Sequence, residues 1–178
     1  MVGSDLLNKL PKLEQLSELA KETHEVSKSR GWWDKPRTVK TLFALMNSEI
    51  GEATNGYRES LMDDKLLHRL MEEVELADVL LRVMDYGENA RLELIPDLCH
   101  YPDYYIEKKD NLDRTWDLTC KLVDFYVIRT NTHYTMLVMQ ILLTGLARGY
   151  DVYGAALEKM EFNKSRKDHD PKTRTKKL

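Results

Sequence analysis

The stretch MEEVELADVLLRVMDYG, residues 71–87, decides the fold class. Val74, Leu76, Ala77, Val79, Leu80, Leu81, Val83 and Met84 make it apolar nearly all round. The interruptions are Glu75, Asp78, Arg82 and Asp85, at spacings of 3, 4 and 3. At about 100° per residue these four fall within a wedge of roughly 80°. The pattern predicts a helix from about Asp64 to Tyr86, buried on most sides, with one narrow charged stripe. Such a stripe faces solvent or a polar cavity.

A second acidic couplet lies upstream. The run TLFALMNSEIGEA, residues 41–53, carries Glu49 and Glu52. Leu42, Leu45, Glu49 and Glu52 follow spacings of 3, 4 and 3, so the couplet prolongs an inward stripe. Four carboxylates aimed into an apolar bundle repel one another and lose hydration. A divalent cation removes that problem, and ligation by carboxylate oxygens suits Mg²⁺ or Mn²⁺. Glu49, Glu52, Glu75 and Asp78 are therefore the candidate metal and catalytic residues, pointing to metal-assisted chemistry on phosphate. Glu72 and Glu73 fit a solvated face better. Asp85 continues the stripe, either as an extra ligand or, the favoured reading, paired with Arg82.

The rest of the chain reads as helix too. Pro11 opens a first helix through Leu13, Leu16, Leu19, Ala20 and Val26, and Gly31 stops it. Trp32-Trp33-Asp34-Lys35-Pro36 reads as a loop. Thr38 is the expected N-cap of a second helix, to about Glu59. Asp113 or Thr115 opens a fourth, running inward through Trp116, Leu118, Leu122, Phe125 and Ile128. Asn131-Thr132 marks a break, and a last helix covers Tyr134 to about Asn163. No stretch shows strand-like alternation of useful length, an internal repeat or a Gly-rich phosphate loop. The expectation is an all-α bundle of about five helices with a metal site between facing helices.

Bulk properties narrow the function. The chain has 178 residues, enough for one domain with a sizeable core. No apolar run reaches the length of a membrane span. The first fifteen residues have no signal-peptide core, and Cys99 and Cys120 have no metal-binding spacing, so a cytoplasmic protein with reduced thiols is expected. The net charge of −3 divides into +5 over residues 164–178 and −8 over the remainder. We expect a single domain over residues 1–163 and a basic, flexible tail over 164–178. The acidic body argues against nucleic acid as the main partner.

Taken together, Glu49-x-x-Glu52 and Glu75-x-x-Asp78 within apolar helices resemble the MazG-like nucleoside triphosphate pyrophosphohydrolases. This all-α superfamily also includes dimeric dUTPases and dCTP pyrophosphatases. Lys159-Met-Glu-Phe-Asn163-Lys-Ser-Arg166 looks like the family's Lys-x-x-x-Asn-x-x-Arg segment. The resemblance covers about residues 38–86 and 155–169. It implies Mg²⁺-dependent cleavage of (deoxy)nucleoside triphosphates to the monophosphate and pyrophosphate, in clean-up of the nucleotide pool. It also implies metal ligation by Glu49, Glu52, Glu75 and Asp78, phosphate contact by Lys159, Asn163 and Arg166, and a homodimer or homotetramer.

Other readings accompany this one. Trp32 and Trp33 are candidates to stack on a nucleobase, or cover a core edge. Asn47 and Asn55 are expected at the surface, and the five histidines share no ligand spacing. A di-iron bundle needs two Glu-x-x-His motifs, and only Asp97-Leu-Cys-His100 comes near. A non-enzymatic helical interaction module with a basic tail is the functional alternative. Surplus apolar surface on the third and last helices is the sequence's own argument for a homo-oligomer.

Overall fold

The computed structural model describes residues 8–96 and 111–165. Within them the chain forms six helices: α1 (Leu13–Ser29), α2 (Val39–Glu59), α3 (Met71–Asn89), α4 (Asn111–Val127), α5 (Asn131–Ala147) and α6 (Val152–Ser165). The described residues contain no strand, only an isolated bridge between Met62 and Leu70. None of the helices is long and apolar enough to cross a membrane.

Local chemistry sets most boundaries. Thr38 caps α2 as expected, its hydroxyl accepting from the Thr41 amide at 3.1 Å. Gly31, with φ of 71°, follows the end of α1. The third helix begins later than the periodicity predicts. Asp63 is buried, and its Oδ1 accepts from the amides of Lys65 and Leu66, which holds residues 63–66 in a turn. The predicted last helix is two. Gly149 takes φ of 79°, Asp151 accepts from the Gly154 amide at 2.9 Å, and α6 starts anew at Val152.

Helix α3 is the axis of the bundle. It packs against α2, α1, α6 and α5. Val74, Ala77, Val79, Leu80, Val83 and Met84 are fully buried by these neighbours. The packing of α2 on α3 needs a glycine. A Cβ on Gly56 would lie 2.8 Å from the Glu72 backbone nitrogen. The apolar surplus of α3 is thus covered within one chain, as is that of α5, where Leu137, Val138, Ile141, Leu142 and Leu143 are buried. Those two helices therefore do not supply the argument for subunit packing.

Two further expectations change. Glu72 and Glu73 are buried, not solvated. Glu72 accepts from Arg148 at 2.8 Å and the Tyr150 hydroxyl at 2.6 Å, and Glu73 from Arg69 at 2.6 Å and the Asp151 amide at 2.9 Å. Arg148, Tyr150 and the Asp151 amide are distant in sequence, whereas Arg69 is the i, i+4 neighbour of Glu73, and both acids also suit the positive N-terminal end of α3. On α4, Leu118, Leu122 and Phe125 point inward, but Trp116 and Ile128 are exposed.

Candidate functional site

The stripe on α3 opens onto a cavity of about 570 Å³. Its walls come from α1, the loop after it, α2, α3 and α6. Residues far apart in the chain meet there. Glu49 and Glu52 come from α2, Glu75, Asp78, Arg82 and Asp85 from α3, Lys159 and Asn163 from α6, and Trp32 and Trp33 from the loop.

The acidic end is compact. One carboxylate oxygen from each of Glu49, Glu52 and Glu75 lies within 4.8 Å of the others. Glu49 and Glu75 are buried, whereas Glu52 is exposed at the open side. Three converging carboxylates at that separation can hold a hard divalent cation. Asp78 stands outside this trio. Its Oδ2 meets the Lys159 ammonium at 2.8 Å.

Proton affinities reflect the crowding. Burial, reinforced by the charge of Asp78, pushes the Glu75 carboxyl up to about 8, against the pull of Lys159. Burial and the neighbouring Glu49 and Asp78 raise Glu52. Burial also raises Asp78, outweighing the Lys159 ion pair. Lys159 goes up as well, because Asp78 and Glu75 outweigh its own loss of hydration.

The charged stripe pairs differently from the i, i+3 expectation. Arg82 turns to α2 and donates from Nε to Glu49 at 2.8 Å. Asp85 faces α1 and the tryptophan loop. Its Oδ1 lies 2.7 Å from His24 Nδ1 and accepts from the Trp33 indole at 2.9 Å. Helix α3 has a charged stripe with different neighbours along its length, so Asp78, Arg82 and Asp85 each find a partner on another element, while Glu75 faces the carboxylates of α2.

The far end is aromatic. Trp32 and Trp33 both line the cavity, with Thr23, Ser27 and Tyr86. The Arg37 guanidinium covers the Trp32 ring at 4.0 Å from its centroid. Trp33 is fixed by its bond to Asp85 and by a tilted contact with the His24 ring. Burial raises the proton affinity of Asp85, above the opposing hydrogen bonds from His24, Trp33 and Ser27.

The predicted phosphate-contact set is dispersed. Lys159 is buried and engaged with Asp78. Asn163 lines the cavity, and its buried Oδ1 has no hydrogen-bond partner. Arg166 lies outside the described residues, as do Asp97, Cys99, His100, His169 and residues 167–178 of the basic tail. Asn47 and Asn55 are at the surface. His68 sits 2.8 Å from Glu158 and His133 bonds Thr130, so neither reaches the cavity. Cys120 is an exposed free thiol.

Sequence reasoning missed Lys65, Asp64, Ser27 and His24 as wall residues. His24 had a usable signal. It lies four residues after Ala20 on the inward stripe of α1, where a polar side chain needs a polar neighbour. Lys65 and Asp64 carry no such signal, because the 63–66 turn places them.

Compared with family models, curated proteins and solved structures, the chain matches none.

Proposed function

We propose that this chain is a MazG-like nucleoside triphosphate pyrophosphohydrolase that binds Mg²⁺ or Mn²⁺ and cleaves (deoxy)nucleoside triphosphates to the monophosphate and pyrophosphate. The observation that carries the reading is the convergence of Glu49, Glu52 and Glu75 at one end of a cavity whose other end is built from Trp32 and Trp33. A charged end and an aromatic end match the two chemistries of a nucleotide, phosphate and base.

The donor set fits a hard cation. All three groups are carboxylates, and the raised proton affinities of Glu52 and Glu75 come first from burial and then from neighbouring acidic charge, both of which a cation would offset. Glu49, Glu52 and Glu75 are the ligands, with Asp78 beside them. Bound there, the ion supplies charge neutralisation on phosphate oxygens and acidifies a ligated water.

The chain's own side chains do the rest. Glu52, at the open side with its proton affinity raised, accepts the proton from the attacking water. Arg82 holds Glu49 in place and offers its remaining guanidinium edge to phosphate. Lys65, paired with Asp64 at 2.7 Å on the cavity wall, adds a flexible cation. Asn163 presents an amide with an unused polar atom. Trp33, anchored by Asp85, gives the base a fixed stacking face.

A pyrophosphate-release screen across canonical and modified (deoxy)nucleoside triphosphates, with Mg²⁺ or Mn²⁺, tests the proposal. Turnover of at least one nucleotide that vanishes in Glu75→Gln is the expected result. Inertness of the folded protein toward the whole panel, with metal present, would overturn it.

A further inference from the structure

The polar groups at the aromatic end of the cavity differ in what they can offer a base. The Trp33 indole N–H can only donate, and it donates to Asp85 Oδ1 at 2.9 Å. His24 Nδ1 lies 2.7 Å from the same oxygen. An ionised carboxylate only accepts, so that histidine nitrogen carries the hydrogen. The Ser27 hydroxyl is the third neighbour. A carboxylate has about four acceptor positions, so three donors leave one for the cavity, where Asp85 forms part of the wall. Thr23 and Ser27, also in the wall, carry hydroxyls that both donate and accept, and so distinguish little. The tryptophan faces differ too. Arg37 covers Trp32, whereas Trp33 stands with its polar edge against Asp85. A ring stacked on Trp33 therefore has that carboxylate at its own edge. Along α3, Asp85 is ten residues beyond Glu75, about 15 Å. Phosphates at Glu75 and a base at Asp85 are the two ends of one drawn-out nucleotide.

We propose that Asp85 reads the base, accepting from an exocyclic amino group and repelling a carbonyl oxygen in its place, so that the site takes amino-bearing bases over their keto counterparts. This rests on the cavity being a nucleotide site and deepens that reading, since the resemblance leaves the base open. Cytosine and uracil are the diagnostic pair. They share a ring and differ at one ring carbon, which bears a donor in cytosine and an acceptor in uracil. A carboxylate pairs with the first and opposes the second. Asp85→Asn reverses the logic. The indole still needs an acceptor, so the amide oxygen stays toward Trp33 and the NH₂ group turns to the cavity, where it suits the carbonyl.

Binding calorimetry of the full chain with dCTP and dUTP, in Ca²⁺ and mildly alkaline buffer, tests this apart from turnover. Burial raises the proton affinity of Asp85 against the pull of its three donors, and alkaline buffer favours the acceptor form. The parent is expected to hold dCTP about a hundredfold tighter than dUTP. Asp85→Asn, nearly isosteric and checked by helical circular dichroism, is expected to lose that preference or reverse it. The pyrimidinone deoxynucleoside triphosphate has neither group at that carbon and gives a readout on the parent alone. It should fall between the other two. Failure to bind either nucleotide, equal affinities or a dUTP preference in the parent, a preference that survives intact in folded Asp85→Asn, or a pyrimidinone analogue no tighter than dUTP would each overturn the assignment. Preference for dCTP without pyrophosphate release in Mg²⁺ would keep it and remove the hydrolase proposal. Pyrophosphate release without the preference would do the reverse.

Discussion

Lys159 Nζ lies 2.8 Å from Asp78 Oδ2, with side chains 3 % and 20 % exposed, so this buried ammonium is committed to one of the four carboxylates of the two couplets. The four acids are therefore not equivalent. Glu49, Glu52 and Glu75 converge, while Asp78 is half of a buried ion pair between α3 and α6.

Glu75→Gln and Asp78→Asn should part company in metal-free protein. Glu75→Gln removes a charge that burial already penalises, and the melting temperature should hold or rise. Asp78→Asn leaves Lys159 buried without its counter-ion, and should lose about 3 kcal/mol. Thermal melts in chelator decide it; equal behaviour of the two variants would mean the Lys159 pair carries no stability.

The pH dependence follows from Glu75. Its carboxyl rises from an ordinary 4.5 to about 8 in the folded chain. Between those values the native, metal-free protein holds a proton that the unfolded chain has released. The stability this contributes is full at low pH and is lost as pH rises through about 8. A cation needs the ionised carboxylate, so Mn²⁺ affinity should rise over the same window and level off above it. Titration calorimetry in buffers of different ionisation enthalpy should record proton release at pH 7, and none would argue against Glu75 as a ligand.

Arg82→Met should separate metal binding from turnover. Arg82 shares the Glu49 carboxylate with any cation bound there. Removing that positive charge should tighten Mn²⁺ binding by about tenfold. Turnover of the nucleotide should fall, because a phosphate contact goes with it. Mn²⁺ titration followed by steady-state kinetics reads both, and weaker Mn²⁺ binding would show that Arg82 instead orients Glu49 for the metal.

Trp33→Phe keeps an aromatic face but loses the donor to Asp85. A hydrogen bond to a charged group is worth about 2 kcal/mol, so the loop should loosen. KM is expected to rise more than kcat falls, with metal affinity unchanged. If Trp33→Phe and Asp85→Asn both leave KM at the parent value, the aromatic end does not hold the base.

The all-helical class and the inward placing of Glu49 and Glu75 were legible because they depend on local periodicity, whereas Glu52, expected on the same inward stripe, is exposed at the cavity's open side. Hydrophobic residues at spacings of 3 and 4 bury one face whatever packs on it, and Glu49 and Glu75 ride on those faces. The cap at Thr38 and the stop at Gly31 rest on single residues and their own backbone. The division of the last helix was legible in part. Gly149 was visible as a weak point, but its positive φ follows from how α6 returns to pack on α3.

The partners of the charges were decided only in three dimensions. By itself the sequence determined which residues are acidic, which are basic and which face inward. It proposed Arg82 for Asp85 because they are i, i+3 neighbours, and a solvated role for Glu72 and Glu73 as surface charge patterning. The fold assigned Arg82 to Glu49, Asp85 to His24 and Trp33, Glu72 to Arg148, Glu73 to the Asp151 amide and Lys159 to Asp78. The physical reason is range. Hydrophobic burial is non-directional and is written in a helix's own period, whereas an ion pair needs two groups within about 4 Å, and helix packing brings them there.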